Sequence, residues 1–281
     1  MTRWLLTGGS GMLGQDLARA VVAAGDEAIA VGSAEVDITD PAAVHAAVRD
    51  VDVVVNCAAW TAVDDAQTHE SAAFAVNAVG AANVARACAA REVRLVQVST
   101  DYVFDGSADN PYSESTPQRP QSAYGRTKCA GEWAVRALCP DALIVRTAWL
   151  YGAGGGNFVS TMARLAGERD ILTVVDDQHG QPTWTADLGD LITRLVSAEA
   201  PGGYWHGVTG GQTTWWGFAR AIFEAAGWDP DRVQAVDSAQ FQRPAPRPAY
   251  SVLGRQRFAE IDVAPLRDWR TVLDEALPTL L

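Results

Sequence analysis

The chain is short of positive charge. Its 281 residues hold 22 Lys and Arg against 34 Asp and Glu, a formal net charge of −12. Such a surface repels phosphate backbones, which excludes a nucleic-acid binder working through bulk electrostatics; an anionic ligand needs a local site. Cysteine is scarce as well. Cys57, Cys88, Cys129 and Cys139 lie in apolar or helical surroundings without a C-x-x-C pair, and they read as small buried thiols of a reducing compartment. The four histidines, His45, His69, His179 and His206, are too scattered for a zinc site. No run of about 18 uninterrupted apolar residues occurs, which argues against a membrane span. Residues 1–7 pass straight into a glycine-rich turn, unlike a secretory leader, and the chain reads as cytoplasmic. What the sequence does have is apolar bulk: 48% hydrophobic against 20% charged residues, enough to bury a sizeable core.

That bulk is patterned. In the first half, short β-branched runs (3–7, 27–31, 52–56, 95–99, 142–147) alternate with Ala-rich helical stretches. Leu13, Leu17 and Val21 recur at helical spacing, Asp40-Pro41 opens a second helix, and longer helices are expected at 71–90 and 122–137. Strand and helix in alternation build a parallel sheet covered on both faces, so the fold class is α/β, a Rossmann-like doubly wound sheet. Beyond residue 147 the alternation breaks at 152–156 and 176–182, and seven of the ten tryptophans lie from Trp149 onward. Helices are expected at 157–168, 185–198, 215–226 and 268–277. The expected division is a dinucleotide-binding domain over 1–147, to which the chain returns near 183–209, and a smaller substrate-binding domain from 148–182 and 210–281.

The first strand runs into Gly8-Gly9-Ser10-Gly11-Met12-Leu13-Gly14 and then a helix. Glycines at 8, 11 and 14 let the backbone turn tightly against a pyrophosphate, whose charge meets amide N–H groups and the positive helix end. Strand two ends in Gly32-Ser33 with no carboxylate at its tip, which leaves room for a 2′-phosphate and favours NADPH over NADH, although no Arg reinforces the choice. Asp37 is placed for the adenine edge or is a solvated loop acid. Further along, Tyr124 and Lys128 stand at i and i+4 on one helical face. An ammonium beside a phenol lowers a pKa that starts near ~10 and makes Tyr124 a proton donor or acceptor near neutrality. Thr100, at the carboxyl end of a parallel strand, completes the set.

With these elements in place, the chain resembles the extended short-chain dehydrogenase/reductase family, whose active site joins Ser/Thr, Tyr and Lys in this order. Within it the chain is most similar to reductases of sugar nucleotides. The resemblance covers almost the whole chain through GGSGMLG (8–14), DITD (37–40), NCAAWTAVDDAQ (56–67), STDYVFDG (99–106), YGRTK (124–128), RTAWLYG (146–152), NF (157–158), DQHGQPT (177–183) and RPAYSVL (247–253). STDYVFDG and RPAYSVL are more specific than the glycines. The resemblance implies NADPH-dependent reduction of the C4 ketone of a 4-keto-6-deoxyhexose on thymidine diphosphate, with NADH as an alternative donor, in dTDP-L-rhamnose synthesis. It implies that Gly11, Met12 and Leu13 face the pyrophosphate, Asp37 and Ile38 the adenosine, Ala58, Ala59 and Trp60 the far side of the cofactor, and Val98 the nicotinamide. Thr100 and Asp101 touch the sugar, Trp149 packs on the substrate, and Asn157, Phe158 and Arg247 hold the nucleotide. A magnesium ion at a homodimer interface is implied at Asp16, Asp187 and Glu275, where solvated helix-face acids are the plain alternative. Rival readings are a 4-ketoreductase of another dTDP-deoxysugar, an epimerase or dehydratase, and a non-catalytic NADP-binding subunit. Dehydration needs a second carboxylate after the Thr-Asp pair, where this chain has Tyr102.

Overall fold

A computed structural model describes all 281 residues. The elements of the larger lobe are β1 (Arg3–Thr7), α1 (Met12–Ala23), β2 (Glu27–Val31), α2 (Pro41–Ala47), β3 (Val53–Asn56), α3 (Val63–Ala66), α4 (Glu70–Phe74), α5 (Ala81–Ala89), β4 (Arg94–Thr100), α6 (Ala123–Leu138) and β5 (Leu143–Thr147). There follow β6 (Leu150–Tyr151), α7 (Phe158–Glu168), β7 (Leu172–Val175), β8 (His179–Gly180), β9 (Thr183–Trp184), α8 (Thr185–Ser197), β10 (Gly203–His206), β11 (Thr213–Thr214), α9 (Trp215–Ala225), β12 (Val233–Val236) and α10 (Trp269–Ala276).

Six strands form one sheet in the order β10-β5-β4-β3-β1-β2, all parallel. The chain starts inside the sheet at β1, steps outward to β2 and returns on the other side at β3. That reversal opens a crevice at the carboxyl ends of β1 and β3, where ligands bind in open α/β sheets. Alternation along β1 feeds both faces: Trp4 and Leu6 join Leu17, Leu188 and Trp205 on one side, and Leu5 joins Val54, Val84 and Ile144 on the other. The return to the sheet near 183–209 supplies α8, packed on α1, and β10, the sixth strand.

A separate core forms the smaller lobe, with Tyr151, Val159, Leu172, Phe218, Phe223 and Leu273 brought together from β6, α7, β7, α9 and α10. Phe258, Val263 and Leu266 pack instead with the sheet's core beside Trp205, although the sequence pattern groups 210–281 with the smaller lobe. The expected helix 71–90 is interrupted: a π-helical turn over Ala75–Gly80 separates α4 from α5. The widened turn places Asn77 so that its Oδ1 accepts from Trp60 N at 2.8 Å while Nδ2 donates to Trp60 O and to Thr127 Oγ1, at 3.1 and 3.0 Å. π-turns recur at functional sites, and this one ties the Trp60 loop to α6. Residues Glu70–Ala89 are long and apolar enough to cross a membrane by length and composition, yet over half of that stretch is buried in the protein.

Candidate active site

A cleft of about 920 Å³ opens where β1, β3 and β4 end. Its adenosine-side wall is built from the turn after β1. Gly8 has φ +69°, and a Cβ there would stand 2.6 Å from Ala58 N; a Cβ on Gly14 would stand 2.5 Å from Gly8 O. Only glycine lets the turn, the Ala58 loop and the start of α1 approach so closely, and the groove has the backbone cradle a pyrophosphate requires. Every expected cofactor residue lines the cleft: Gly8, Ser10, Gly11, Met12, Leu13, Gly14, Ser33, Asp37, Ile38, Ala58, Ala59, Trp60, Val98, Tyr124 and Lys128. So do Thr100, Asp101 and Trp149.

The floor is tied together by side chains at the strand ends. Thr7 Oγ1 donates to Asn56 Oδ1 at 2.7 Å, Asn56 Nδ2 to Gln97 Oε1 at 2.8 Å, and Gln97 Nε2 to Val98 O at 2.9 Å. The same Val98 carbonyl accepts from Lys128 Nζ at 2.8 Å. Ser122 begins α6 by accepting from Gly125 N at 3.0 Å, which places Tyr124 in the first turn and Lys128 one turn on. Thr100 Oγ1 donates to Asp101 Oδ1 at 2.9 Å.

The electrostatics differ from the sequence expectation in one respect. Burial outweighs every charge around the Tyr124 phenol. One of the Lys128 N–H donors goes to Val98 O, and burial pushes the phenol up to about 12, with the Thr100 hydroxyl pulling it down and the Asp101 charge pushing it up. Burial lowers Lys128, the only lysine of the chain, to about 8, while Glu132 works in the other direction. Burial raises Asp101 to about 6. Tyr124 therefore holds a proton firmly through neutral pH, as a proton donor must.

Seven buried side-chain polar atoms have no hydrogen-bond partner, and four of them line this cleft: Trp60 Nε1, Ser99 Oγ, Asp101 Oδ2 and Thr147 Oγ1. Buried polar groups are ordinarily paired, so their concentration marks where a polar ligand sits. The distal wall is aromatic. Trp149, with φ +46°, stacks on Trp215 at 3.6 Å between centroids and 8° between planes. Gly180 makes room for it, because a Cβ there would fall 2.4 Å from the Trp149 ring. Gly180→Ala is expected to displace the indole and lower kcat/KM by about 10- to 100-fold through misplacement of the wall. Loss of the near-UV circular dichroism of the stacked pair would accompany it, and an unchanged spectrum with unchanged rate would refute the wall's role.

Other expected residues are not brought to the cleft wall. Asn157 caps α7, accepting from Ser160 N at 3.1 Å, and its Nδ2 donates to Gly152 O and Gly155 O at 2.8 and 3.0 Å, so it organises the glycine loop over Met12. Phe158 packs against Trp215 and Phe218. Arg247 turns to Asp64 on α3, 2.8 Å away. The magnesium set does not fit a cation either. Asp187 and Glu275 converge on the Arg267 guanidinium, Asp16 is buried with Thr185 and Arg19, and no group of three metal-ligating side chains exists.

Some wall residues escaped the sequence pattern. Trp215, at the first position of α9, is far from the glycine motif in sequence, and only the tertiary fold stacks it on Trp149. The tip of β2 also differs: Glu35 folds back so that its Oε2 accepts from Gly32 N at 2.8 Å, and a carboxylate does stand there. Its distance from the strand end hid it, because the turn that returns it is set by backbone bonds from Glu35 N and Val36 N to Gly32 O.

Comparison with known proteins agrees with this architecture. The model of the RmlD substrate binding domain matches residues 2–281. A dTDP-4-dehydrorhamnose reductase of Streptomyces griseus is 50% identical, the alignment covering 99% of this chain and 94% of that protein. A probable dTDP-4,6-dihydroxy-2-methyloxan-3-one 4-ketoreductase of Streptomyces antibioticus is 47% identical, over 99% of this chain and 97% of that one. The crystal structure of a Bacillus anthracis dTDP-4-dehydrorhamnose reductase in complex with NADP superposes with a TM-score of 0.94 at 34% identity, covering 99% of each chain. Matched from end to end by the family model and by relatives of nearly its own length, the chain belongs to the RmlD substrate binding domain family.

Proposed function

We propose that the protein reduces the C4 ketone of dTDP-4-dehydro-L-rhamnose to give dTDP-L-rhamnose, using a reduced nicotinamide cofactor. The observation that carries the reading is the assembly of Thr100, Tyr124 and Lys128 at the carboxyl end of β4, in the cleft that holds the glycine cradle. The cofactor would supply the hydride. Gly8, Gly11 and Gly14 would open the groove to its pyrophosphate, Ala58, Ala59 and Trp60, in the loop after β3, would face it, and Val98 would lie at its reactive end. Tyr124 Oη delivers the proton to the carbonyl oxygen as charge develops there, and the Thr100 hydroxyl, now shared with Asp101, reorients to bond that oxygen. Lys128 places its positive charge beside the cofactor ribose and the forming alkoxide. Trp149 and Trp215 would shield the hexose from water, and Arg247 would have to leave its pair with Asp64 to meet a nucleotide diphosphate.

A 4-ketoreductase acting on another dTDP-deoxysugar is the second reading, favoured by the near-equal similarity to the Streptomyces antibioticus protein. The test supplies dTDP-4-keto-6-deoxy-L-lyxo-hexose and other 4-keto-6-deoxy sugar nucleotides with NADPH or NADH, follows cofactor oxidation and identifies the product. Turnover of the L-lyxo ketone to dTDP-L-rhamnose as the best substrate is expected. Preference for another ketone selects the second reading, and no cofactor oxidation with any of them refutes both.

A further inference from the structure

Thr147, the last residue of β5, lines the cleft and takes no part in the proposed reaction. Sheet geometry fixes where it stands. β4 and β5 run in parallel register from Val96 with Leu143 to Thr100 with Thr147. Residues paired in this way point to one face of the sheet, and the strands that carry them lie about 4.8 Å apart. Val96, Leu143 and Val145 assign that face to the core of Trp4, Leu6 and Leu188. Because side chains alternate along a strand, the same face carries Thr100 and Thr147 two residues further on, side by side where the apolar core gives way to the cleft.

The two hydroxyls differ in their bonding. Thr100 Oγ1 donates to Asp101 Oδ1 at 2.9 Å and accepts from Tyr102 N at 3.3 Å. Thr147 is only 5% exposed, and its Oγ1 is buried without any hydrogen-bond partner. A hydroxyl deprived of both water and a protein partner is a net loss to the fold, and a valine of nearly the same shape would pack there without it. The side chain is explained by a polar ligand placed against it. Sheet order indicates which part of a ligand that is: β5 lies beyond β4 on the side away from β1, whose glycine turn would hold the pyrophosphate. The next residues along the wall, Ala148, Trp149 and Leu150, are largely carbon.

We propose that Thr147 is a further substrate-binding residue, its hydroxyl bonding an oxygen of the hexose beside the reacting carbonyl while Thr100 and Tyr124 act on the carbonyl itself. The inference rests on the reading that the cleft takes a 4-keto sugar nucleotide. A threonine hydroxyl both donates and accepts, which suits a sugar hydroxyl.

The test compares Thr147→Val, which removes the hydroxyl at nearly constant volume, with Thr147→Ser, which keeps it. On the purified proteins it measures Tm without ligand, calorimetric affinity for the reduced cofactor and for dTDP-L-rhamnose, and kcat/KM for the 4-keto precursor. The Val variant should keep or raise its Tm, since it loses a polar atom that the free protein leaves unpaired, and should bind reduced cofactor as the wild type does. Its affinity for dTDP-L-rhamnose and its kcat/KM should each fall by about 10-fold, the worth of one neutral hydrogen bond, and the Ser variant should restore both.

A Val variant with wild-type affinity for the sugar nucleotide overturns the inference, as does a Ser variant impaired equally. A lowered Tm with unchanged affinities would make the hydroxyl structural, and a loss of cofactor affinity would assign it to the nicotinamide. Each of these outcomes leaves the reading of the cleft standing. A wild type that neither binds dTDP-L-rhamnose nor reduces the ketone overturns that reading and the inference with it.

Discussion

Tyr124→Phe is expected to lower turnover by about 10²- to 10⁴-fold, the usual contribution of one positioned proton donor, with little change in the dissociation constant of the reduced cofactor. No neighbour replaces the lost hydroxyl. Asp101, raised by burial to about 6, is mostly ionised at neutral pH, and Lys128 hydrogen-bonds Val98 O from the next turn of α6. The phenol itself, at about 12, holds its proton across the working range and sets no alkaline limb. That limb belongs to Lys128: its ammonium is present below about 8 and is lost as pH rises through that value, so the wild-type rate should decline there. Single-turnover measurement with preloaded cofactor checks the first claim, and near-wild-type rates in the Phe variant would remove Tyr124 from the chemistry.

The motifs that gave away this site share one property: their partners are local. Gly8 to Gly14 form a single turn, and Tyr124 and Lys128 are one helical turn apart, so spacing alone brings them together. Strands 3–7 and 95–99 were legible because burial of a central parallel strand on both faces writes an apolar run into the sequence. The illegible parts depend on distant contacts. The Trp149–Trp215 stack joins a loop residue to the start of α9, 66 residues on. Asn157 and Arg247 carry the residue types that suit a nucleotide, yet their hydrogen bonds are taken by Gly152, Gly155 and Asp64, which no local pattern announces. β7 and β12, with only four residues each, pair with one another across the smaller lobe and had no alternating run long enough to identify them.

The expected effect of Glu132→Gln on stability is among the largest in the protein, and it reaches the site by charge. Glu132 and Arg146 are each only 1% exposed, and two bonds join them, Nε to Oε1 at 2.9 Å and a terminal guanidinium nitrogen to Oε2 at 2.8 Å. Around the pair stand the rings of Tyr204 and Phe104 and a neutral His206, whose imidazole burial lowers to about 3. Removing one charge strands the other, buried with only the Glu114 carbonyl and a neutral imidazole beside it, a loss of about 3–5 kcal/mol. For a chain of this size that is on the order of 10 °C in Tm. Removing both, in Glu132→Leu with Arg146→Met, should return most of that stability, since an apolar pair of similar volume often replaces a buried ion pair without loss. Activity separates the two consequences. Glu132 lies one turn beyond Lys128 on α6 and holds the lysine's pKa up against burial. Without that charge Lys128 loses its proton at lower pH, so the alkaline limb of the rate profile should move below about 8 in both the single and the double variant. A double variant that regains its Tm yet keeps the wild-type limb would show that Glu132 only anchors α6 to β5, whereas a displaced limb makes it a positioning residue acting on catalysis through Lys128.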